Sequence, residues 1–207
     1  MEALKQDLVD CIRMLESSDI IDYNGHASIR LDDNRLLINI GSCQRSCLTT
    51  ADICEIDFEG NVISGNGKPP LEFHLHVGIY KVRPDVKAIV HAHPKWSTFL
   101  TMTGHDYQPV YAQGTLVYPL PLLDSPNSIN NPVMAGRLAD TLGDRPAALM
   151  KAHGAVTTGK TVRDAFVPDG TSNPFLFAGR GGKHLSRQRF FQLLKDLAAT
   201  ARLDPRK

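Results

Sequence analysis

Two histidines separated by one residue, His91 and His93, have the types and spacing that could bind a metal ion. They follow an apolar, β-branched run that is typical of a strand, and Pro94 stops that strand from continuing. Side chains two positions apart on a strand point to the same side, so the two imidazoles can converge on one ion. The competing interpretation is a pair of ordinary hydrogen-bonded histidines. The metal site is favoured only if the rest of the chain supplies a third ligand and a carboxylate.

Another histidine, His153, ends a second apolar run much as His91 ends the first. If one mixed sheet holds both runs, the imidazoles of His91, His93 and His153 meet at one point. Three histidines leave an open fourth position, which is typical of catalytic zinc sites. Glu72 adds a carboxylate, either as a fourth ligand that substrate displaces or as an acid and base beside the metal. We therefore predict one divalent ion, with zinc as the first choice and manganese or iron as alternatives.

The elements that must position these groups can be traced along the chain. Apolar residues recur at helical spacing in the opening segment, which predicts an amphipathic helix. Alternating patterns predict strands around residues 27–31, 35–40 and 53–57, with the first two forming a hairpin. Pro69-Pro70 stands where a helix would begin. In that helix Glu72, His76 and Tyr80 follow i, i+4 spacing, so an acid, an imidazole and a phenol share one face.

Composition narrows the class of protein. The chain has 207 residues, 42% of them hydrophobic, and a formal net charge of +1. The length and hydrophobic fraction predict a globular domain with a sizeable core. A net charge so close to zero gives no overall electrostatic attraction to nucleic acid or a membrane surface. We expect no membrane-spanning run and no signal peptide. The four cysteines are too few for a disulfide framework, which favours a reducing cytoplasm, and Cys43 and Cys47 lack the partners of a second metal site.

A longer ordered series of residues carries a family resemblance. The series is Gly25-His26-Ala27-Ser28-Ile29-Arg30, Leu48-Thr49, the strand over residues 53–57, Glu72, Tyr80, Arg83-Pro84-Asp85, His91-Ala92-His93 and His153-Gly154. It resembles the class II aldolase/adducin superfamily, typified by fuculose-phosphate aldolase and ribulose-phosphate epimerase. The similarity covers roughly residues 3–166.

The resemblance implies an α/β fold, a three-layer α/β/α sandwich around a mainly antiparallel central sheet, formed by residues 1–166. It implies a divalent metal on the three histidines, Glu72 as acid and base, and a homotetramer with active sites between subunits. Residues 167–207 diverge from the family, and there we predict one helix from Ser186 to about Arg202.

The phosphate pocket of the sugar-phosphate members is only partly matched. Those members use Gly-Asn near Gly25-His26, Thr-Gly near Gly41-Ser42, and a Ser-Ser pair directly before the glutamate. Here that pair is Pro70-Leu71, and a histidine replaces the asparagine. Each lost charge-assisted hydrogen bond costs on the order of 1.5 to 3 kcal/mol, so we expect a carboxylate rather than a phosphate ester.

The Gly-His-x-Ser turn and the Pro-Leu-Glu start are similar to the superfamily's decarboxylases of hydroxylated aromatic carboxylates. Any of three basic residues, Arg30, Arg45 and Lys95, could bind the carboxylate of a small-molecule substrate. The candidate substrate-binding residues are Gly25, Ser28, Arg30, Gly41, Ser42, Arg45 and Lys95.

These features predict a metal-dependent carbon–carbon lyase that stabilises an enolate, with decarboxylation favoured over aldol cleavage. Glu72 moves the proton, and His26 protonates the carbanion, binds the leaving carboxylate or serves only as a turn residue. By resemblance, Tyr111 is a candidate proton donor borrowed from a neighbouring subunit. The alternatives are an aldolase for a small hydroxy-carbonyl compound or sugar phosphate, a catalytically silent adducin-like binding module, and oxidative chemistry on iron.

Overall fold

Helices cover both faces of one eight-stranded sheet in the computed structural model, which describes residues 1–110 and 112–166. The helices are α1 (Glu2–Ser17), α2 (Phe73–Val82), α3 (Lys95–Met102), α4 (Pro132–Leu142) and α5 (Val162–Phe166). The strands are β1 (His26–Arg30), β2 (Arg35–Asn39), β3 (Ile53–Asp57), β4 (Val62–Ser64), β5 (Ala88–Ala92), β6 (Leu122–Leu123), β7 (Ala147–Met150) and β8 (Gly154–Gly159). Short 3-10 turns occupy Arg45–Cys47, Thr50–Asp52 and Ala112–Val117.

The strand order is β4-β3-β2-β1-β5-β8-β7-β6. Every neighbouring pair is antiparallel except β6 and β7, which are parallel. The predicted mainly antiparallel sheet is therefore confirmed, and with it the predicted hairpin of β1 and β2. The C-terminal helix predicted after Ser186 lies outside the described residues.

Strand alternation divides the core into two layers. Leu36 and Ile38 of β2 face the cluster that contains residues of α2 and α4, whereas Leu37 between them faces the cluster with α1 and α5. Successive side chains of a strand point to opposite faces, so one apolar strand supplies both layers. The three-layer α/β/α sandwich expected from the resemblance is confirmed. None of the helices in residues 1–110 and 112–166 is long and apolar enough to span a membrane.

The central strands bring distant segments together at one edge. β1 and β8 flank β5, and His26 pairs in register with His91, which in turn pairs with Val156. The turn from β7 into β8 ends at His153, directly beside the last residues of β5. This arrangement places the chemistry-bearing residues of three separate segments next to each other.

Candidate metal centre

Four side chains converge where β5 ends. His91 lies in β5, His93 follows just after the strand, and His153 lies in the turn between β7 and β8. Glu72 immediately precedes α2. One ligand atom from each of these residues lies within 4.8 Å of the others. No other group of at least three potential His, Cys, Asp or Glu ligands occurs in the parts of the chain that the structure describes.

Two backbone features let the segments approach so closely. Ala152 has a φ of 53°, a left-handed conformation that turns the chain just before His153. At Gly154 a Cβ atom would lie 2.4 Å from the Ala92 carbonyl oxygen and 2.7 Å from His93 Cδ2. Only glycine therefore fits at the start of β8, and the His153-Gly154 pair acts as one structural unit.

Hydrogen bonds fix the orientation of two of the imidazoles. His91 Nδ1 lies 3.0 Å from the Ala155 carbonyl oxygen, which can only accept, so Nδ1 carries the proton and Nε2 has the lone pair. His93 Nδ1 lies 2.9 Å from Asp22 Oδ1, and the same reasoning leaves its Nε2 free to bind. Metal-binding histidines generally donate their other N–H to a carbonyl or carboxylate in this way.

Asp22 is a residue of this candidate site that sequence analysis missed. Its Oδ1 also accepts the backbone N–H groups of Asn24 (2.9 Å) and Gly25 (3.1 Å). The Asp-x-Asn-Gly pattern does signal a turn stabilised by an aspartate side chain. Nothing local in the sequence indicates that the same carboxylate reaches His93, 71 positions away.

The Glu72 carboxylate is held from one side and faces imidazoles on the other. Its Oε1 accepts from the Ile129 backbone N–H at 2.7 Å and from the Ser128 hydroxyl at 2.9 Å, contacts that the sequence did not reveal. Oε1 lies 3.4 Å from His153 Nε2, and Oε2 lies 3.5 Å from His91 Nε2. Burial raises the pKa of Glu72, but its contacts with neighbouring imidazoles, led by His153 and then His26, outweigh burial and hold the pKa well below its usual range. Glu72 is therefore ionised at neutral pH.

These residues fit a divalent cation. Burial lowers the pKa of His91 to about 4, so the ring is neutral at pH 7 and its Nε2 lone pair faces the Glu72 carboxylate. That Nε2 is buried and has no hydrogen-bond partner. A buried lone pair facing a buried carboxylate is unfavourable, and a cation between them removes the conflict. Three imidazole nitrogens and one carboxylate are also the donor set of catalytic zinc and related metals.

His26 borders this group without belonging to it. Its Nε2 lies 3.7 Å from Glu72 Oε2, and its Nδ1 lies 2.7 Å from His76 Nε2. Ser28 lies deeper, with its hydroxyl 2.6 Å from His76 Nδ1 and 2.8 Å from the Tyr80 hydroxyl. Burial is the largest cause that lowers the pKa of both His26 and His76, so both rings are neutral. The structure thus brings His26 to the site and places Ser28 in the interior behind it.

Arg30, a second predicted substrate-binding residue, is placed away from the cluster. Its guanidinium donates to the carbonyl oxygens of Asp32 and Tyr80 at 2.9 Å and pairs with Asp33 at 3.0 Å. Arg30 lies four positions after His26 along β1, a distance of about 13 Å. Its donors are used within the fold rather than directed at the metal centre.

Arg45 has a different environment. It is 3% exposed, and it donates from Nε to the Gly25 carbonyl oxygen at 2.9 Å and from Nη1 to the Gly41 carbonyl oxygen at 3.3 Å. No carboxylate in residues 1–110 and 112–166 forms an ion pair with it. At Gly25 a Cβ atom would lie 1.9 Å from Ile21 Cγ1, so the glycine is needed there. Three of the predicted substrate-binding residues, Gly25, Gly41 and Arg45, are therefore brought together.

The remaining predicted site residues have less defined surroundings. Ser42 and Lys95 are exposed, the first in the loop beyond Gly41 and the second at the start of α3. Tyr111 lies outside the described residues. Cys43 donates its thiol to the Ile40 carbonyl oxygen, and all four cysteines are free thiols.

Comparison with known proteins supplies a family for this geometry. The family model described as Class II Aldolase and Adducin N-terminal domain matches residues 6–167. A 3,4-dihydroxyphthalate decarboxylase from Arthrobacter keyseri is 29% identical over 160 residues, which is 68% of this chain and 62% of that protein. The chain thus spans less than two thirds of that relative's length.

An aldolase and a solved structure are also similar. L-fuculose phosphate aldolase from Methanocaldococcus jannaschii is 29% identical over 163 residues, covering 79% of this chain and 87% of that protein. The structure of an L-fuculose 1-phosphate aldolase matches with a TM-score of 0.71 at 22% identity, covering 80% of this chain and 79% of the other. At that identity the structural likeness shows a shared fold.

Proposed function

Because the chain belongs to the class II aldolase and adducin N-terminal domain family, we propose that it is a metal-dependent carbon–carbon lyase, and specifically a decarboxylase of a hydroxylated aromatic acid. The observation that carries this proposal is the convergence of Glu72, His91, His93 and His153, with ligand atoms within 4.8 Å of one another. The decarboxylase from Arthrobacter keyseri, at 29% identity, supports the choice of reaction.

His91, His93 and His153 would hold the metal ion, zinc in the first instance, with Glu72 beside it. A divalent ion bound there supplies Lewis-acid chemistry, which favours electron withdrawal from the reacting centre. The hydrogen bonds from His91 to Ala155 and from His93 to Asp22 keep both Nε2 atoms free of protons. The chain itself thereby prepares the donor set before any ion binds.

Glu72 is the group that moves the proton. As an ionised carboxylate it removes the proton from the substrate hydroxyl. When the carbon–carbon bond to the substrate carboxylate breaks, CO2 leaves and the electron pair stays on the carbon. Glu72 then returns its proton to that carbon, and the oxygen that lost the proton regains one from water. The Ser128 and Ile129 donors keep Oε1 in place throughout.

Arg45 is the proposed site for the substrate's carboxylate. It brings a buried positive charge to the place where the loop before β1, with Gly25, meets the loop after β2, with Gly41, and no described carboxylate forms an ion pair with it. In addition, Pro70-Leu71 offers no side-chain hydroxyl at the position where the sugar-phosphate members carry two, and Leu71 is 83% exposed. A carboxylate needs fewer donors than a phosphate dianion, so these surroundings favour the carboxylate. Lys95 is a second, exposed candidate.

An aldolase that acts on a small hydroxy-carbonyl compound or sugar phosphate is the second candidate function. The L-fuculose phosphate aldolase from Methanocaldococcus jannaschii favours it, because the match covers 87% of that protein. An adducin-like binding module without catalysis is less well supported. Such a module has no use for a buried carboxylate that faces unpartnered imidazole nitrogens.

We further propose a homotetramer in the cytoplasm, with active sites between subunits and residues 1–166 as the catalytic domain. Three large apolar side chains of α3 support self-association because they are exposed: Trp96 by 39%, Phe99 by 56% and Met102 by 58%. This helix begins two residues after His93, so a partner bound there would border the metal centre. Light scattering on the full chain tests the subunit number.

The test of function combines metal analysis with two product assays. Purified protein should contain about one divalent ion per chain and release CO2 from hydroxylated aromatic carboxylates. Chelation should stop this release, and zinc should restore it. Release of aldehyde from sugar phosphates without any CO2 would instead establish the aldolase. Absence of both metal and turnover would leave only the binding module.

A further inference from the structure

A row of buried polar side chains leads from Glu72 into the interior between β1 and α2. In order they are His26, His76, Ser28 and Tyr80, joined by contacts of 2.7, 2.6 and 2.8 Å. Each of these four residues is at most 1% exposed. The proton transfers described above use only Glu72 and water, so none of these four residues has a role in them.

The two ends of this row are both acceptors. At the inner end the Tyr80 hydroxyl lies 3.5 Å from the Lys87 carbonyl oxygen, and at the outer end His26 Nε2 lies 3.7 Å from Glu72 Oε2. Each neutral imidazole and each hydroxyl in the row has one proton to donate and a lone pair to accept with. Four protons must therefore fill five contacts, so one contact has no proton. The three inner contacts are only 2.6 to 2.8 Å long, and two lone pairs facing each other at that distance are unfavourable. The contact without a proton is therefore one of the two longer contacts at the ends, and all four protons point either outward to Glu72 or inward to Lys87.

The charge on Glu72 selects the outward direction. If the protons pointed inward, the Tyr80 hydroxyl would donate to the Lys87 carbonyl oxygen at 3.5 Å, but a buried His26 lone pair would face an ionised carboxylate at 3.7 Å, which is unfavourable. In the outward direction the His26 N–H points at the full negative charge of Glu72, and this attraction is favourable at 3.7 Å even though the contact is longer than a hydrogen bond. In the outward direction Tyr80 donates to Ser28, Ser28 donates to His76 Nδ1, and His76 Nε2–H donates to His26 Nδ1.

We propose that Tyr80, Ser28 and His76 are positioning residues that hold His26 in its Nε2–H tautomer. His26 then presents a fixed N–H donor to Glu72 Oε2 and to the anionic substrate oxygen that comes beside it, a role that rests on the proposed lyase function. The Nε2 atom of His26 is buried and has no hydrogen-bond partner within the described residues, so this donor is available.

The row also distinguishes between the two chemical roles considered for His26. If His26 gave its Nε2 proton to a carbanion, each inner group would pass one proton outward and Tyr80 would be left ionised. Burial raises the pKa of Tyr80, which opposes that outcome. His26 therefore binds negative charge on the substrate as a hydrogen-bond donor, and Glu72 remains the group that transfers the proton.

Long-range proton–nitrogen NMR of metal-free protein with ¹⁵N-labelled histidine tests the tautomer directly. We expect both His26 and His76 to be protonated on Nε2 and unprotonated on Nδ1. Protonation of either ring on Nδ1 would mean that the row points inward and would overturn the proposal. This measurement requires neither metal nor substrate.

A pair of variants at position 76 tests the consequence for catalysis. His76→Gln keeps a donor and an acceptor, whereas His76→Phe keeps only the volume. With metal saturating, we expect His76→Phe to lower kcat by about 10- to 100-fold, as for other residues that orient a ligand, and to give a mixed His26 tautomer. His76→Gln should retain the wild-type tautomer and most of kcat. An unchanged tautomer in His76→Phe would contradict the proposal.

Two further variants keep the test decisive if His76→Phe does not fold. Tyr80→Phe removes only the innermost donor and should lower kcat by about two- to tenfold, the effect of one neutral hydrogen bond. The control is Thr158→Val, which removes a buried hydroxyl that donates to the Pro146 carbonyl oxygen elsewhere in the fold. Equal effects of Tyr80→Phe and Thr158→Val on kcat would show a general structural effect.

The proposed function can fail independently of this inference. If no substrate is cleaved but the Nε2–H tautomer is observed, the proposed lyase function is wrong, whereas the row of polar side chains still holds His26 in that tautomer. If CO2 is released but the tautomer is reversed, the function stands and the positioning role falls.

Discussion

The two ends of β1 bury polar side chains in opposite ways. At the inner end the Arg30 guanidinium is fully engaged, since Nε donates to Asp32, Nη1 donates to Tyr80 and Nη2 pairs with Asp33. The guanidinium carbon also lies 5.7 Å from the centre of the Tyr80 ring. This end of the strand uses charge to build the fold.

At the outer end the polar atoms lack such partners. The Nε2 atoms of His26 and His91 are buried without a hydrogen bond, and both lie within 3.7 Å of Glu72 Oε2. A buried polar group without a partner costs roughly 1 to 3 kcal/mol, which a purely structural role does not explain. The comparison teaches that unsatisfied burial, rather than burial itself, marks the functional end of the strand.

The largest expected effect is the loss of metal from the outer end. His93→Ala removes one of the imidazole ligands, so we expect metal content to fall far below one ion per chain and activity to fall to that of chelated protein. Elemental analysis and the CO2 assay measure both. The control is His105→Ala, which removes an exposed histidine that contacts Thr103. If His93→Ala keeps its full metal content, the outer end of β1 does not border a metal site, and it no longer differs in function from the inner end.

The next effect concerns the carboxylate. Glu72→Gln keeps an oxygen for the Ile129 N–H but cannot take up a proton, so kcat should fall about a thousandfold with metal saturating. Glu55→Gln is the matched control, because Glu55 is also a buried carboxylate and pairs with Arg35 at 2.8 Å on another strand. If the two variants lose activity to the same degree, Glu72 has no special role in proton transfer.

Arg30→Met tests the inner end. Two carbonyl oxygens lose a charged donor, so the free energy of unfolding should fall by about 2 kcal/mol, measured by urea denaturation. Activity per folded molecule should stay within about twofold of the wild type. The Arg30 donors are used by other groups of the fold, so their loss changes stability rather than catalysis. The contrary result, a wild-type unfolding curve with a large rise in KM, would place Arg30 in the substrate site.

The smallest effect should come from Asp22→Asn. Asparagine keeps an oxygen for the turn and for His93 Nδ1 but loses the negative charge, so metal affinity should fall about tenfold. Competition with a chelator measures that change, and Asp10→Asn on the exposed face of α1 provides the control. An affinity equal to that of the control would show that Asp22 only stabilises its turn.

Much of the site could be predicted because its signals are local. His91 and His93 are two positions apart at the end of an apolar run, and His153 ends a second apolar run. The pair Pro69-Pro70 indicates the start of the helix that follows Glu72. These patterns depend on periodicity and chain termination, which a single sequence displays directly. The layered fold followed from the family resemblance rather than from the patterns themselves.

The partners that orient the ligands could not be predicted. The contacts of Asp22 with His93 and of Ser128 with Glu72 join positions 71 and 56 residues apart, and no local pattern specifies them. The different roles of Arg30 and Arg45 also depend on tertiary contacts. Both have the same chemistry in the sequence, and only the fold shows that one is neutralised by Asp33 while the other has no described acidic partner.

The contact between β1 and α2 has a consequence for how the Glu72 carboxylate keeps its place. Two residues of a strand advance about 6.6 Å and four residues of a helix advance about 6 Å, so side chains at those spacings stay level with each other. The side chains that meet in this way are His26 and Ser28 from the strand, and Glu72 at the start of the helix with His76 and Tyr80 within it.

Apolar packing is non-directional and would tolerate a small slide of the helix along the sheet. A row of directional contacts does not, because a shift that breaks one breaks the others. The matching rises of strand and helix therefore fix the position of α2 along β1, and with it the distance of Glu72 from the end of β5. Lengthening α2 by a single residue between Glu72 and His76 should misplace the carboxylate even if the apolar core re-forms.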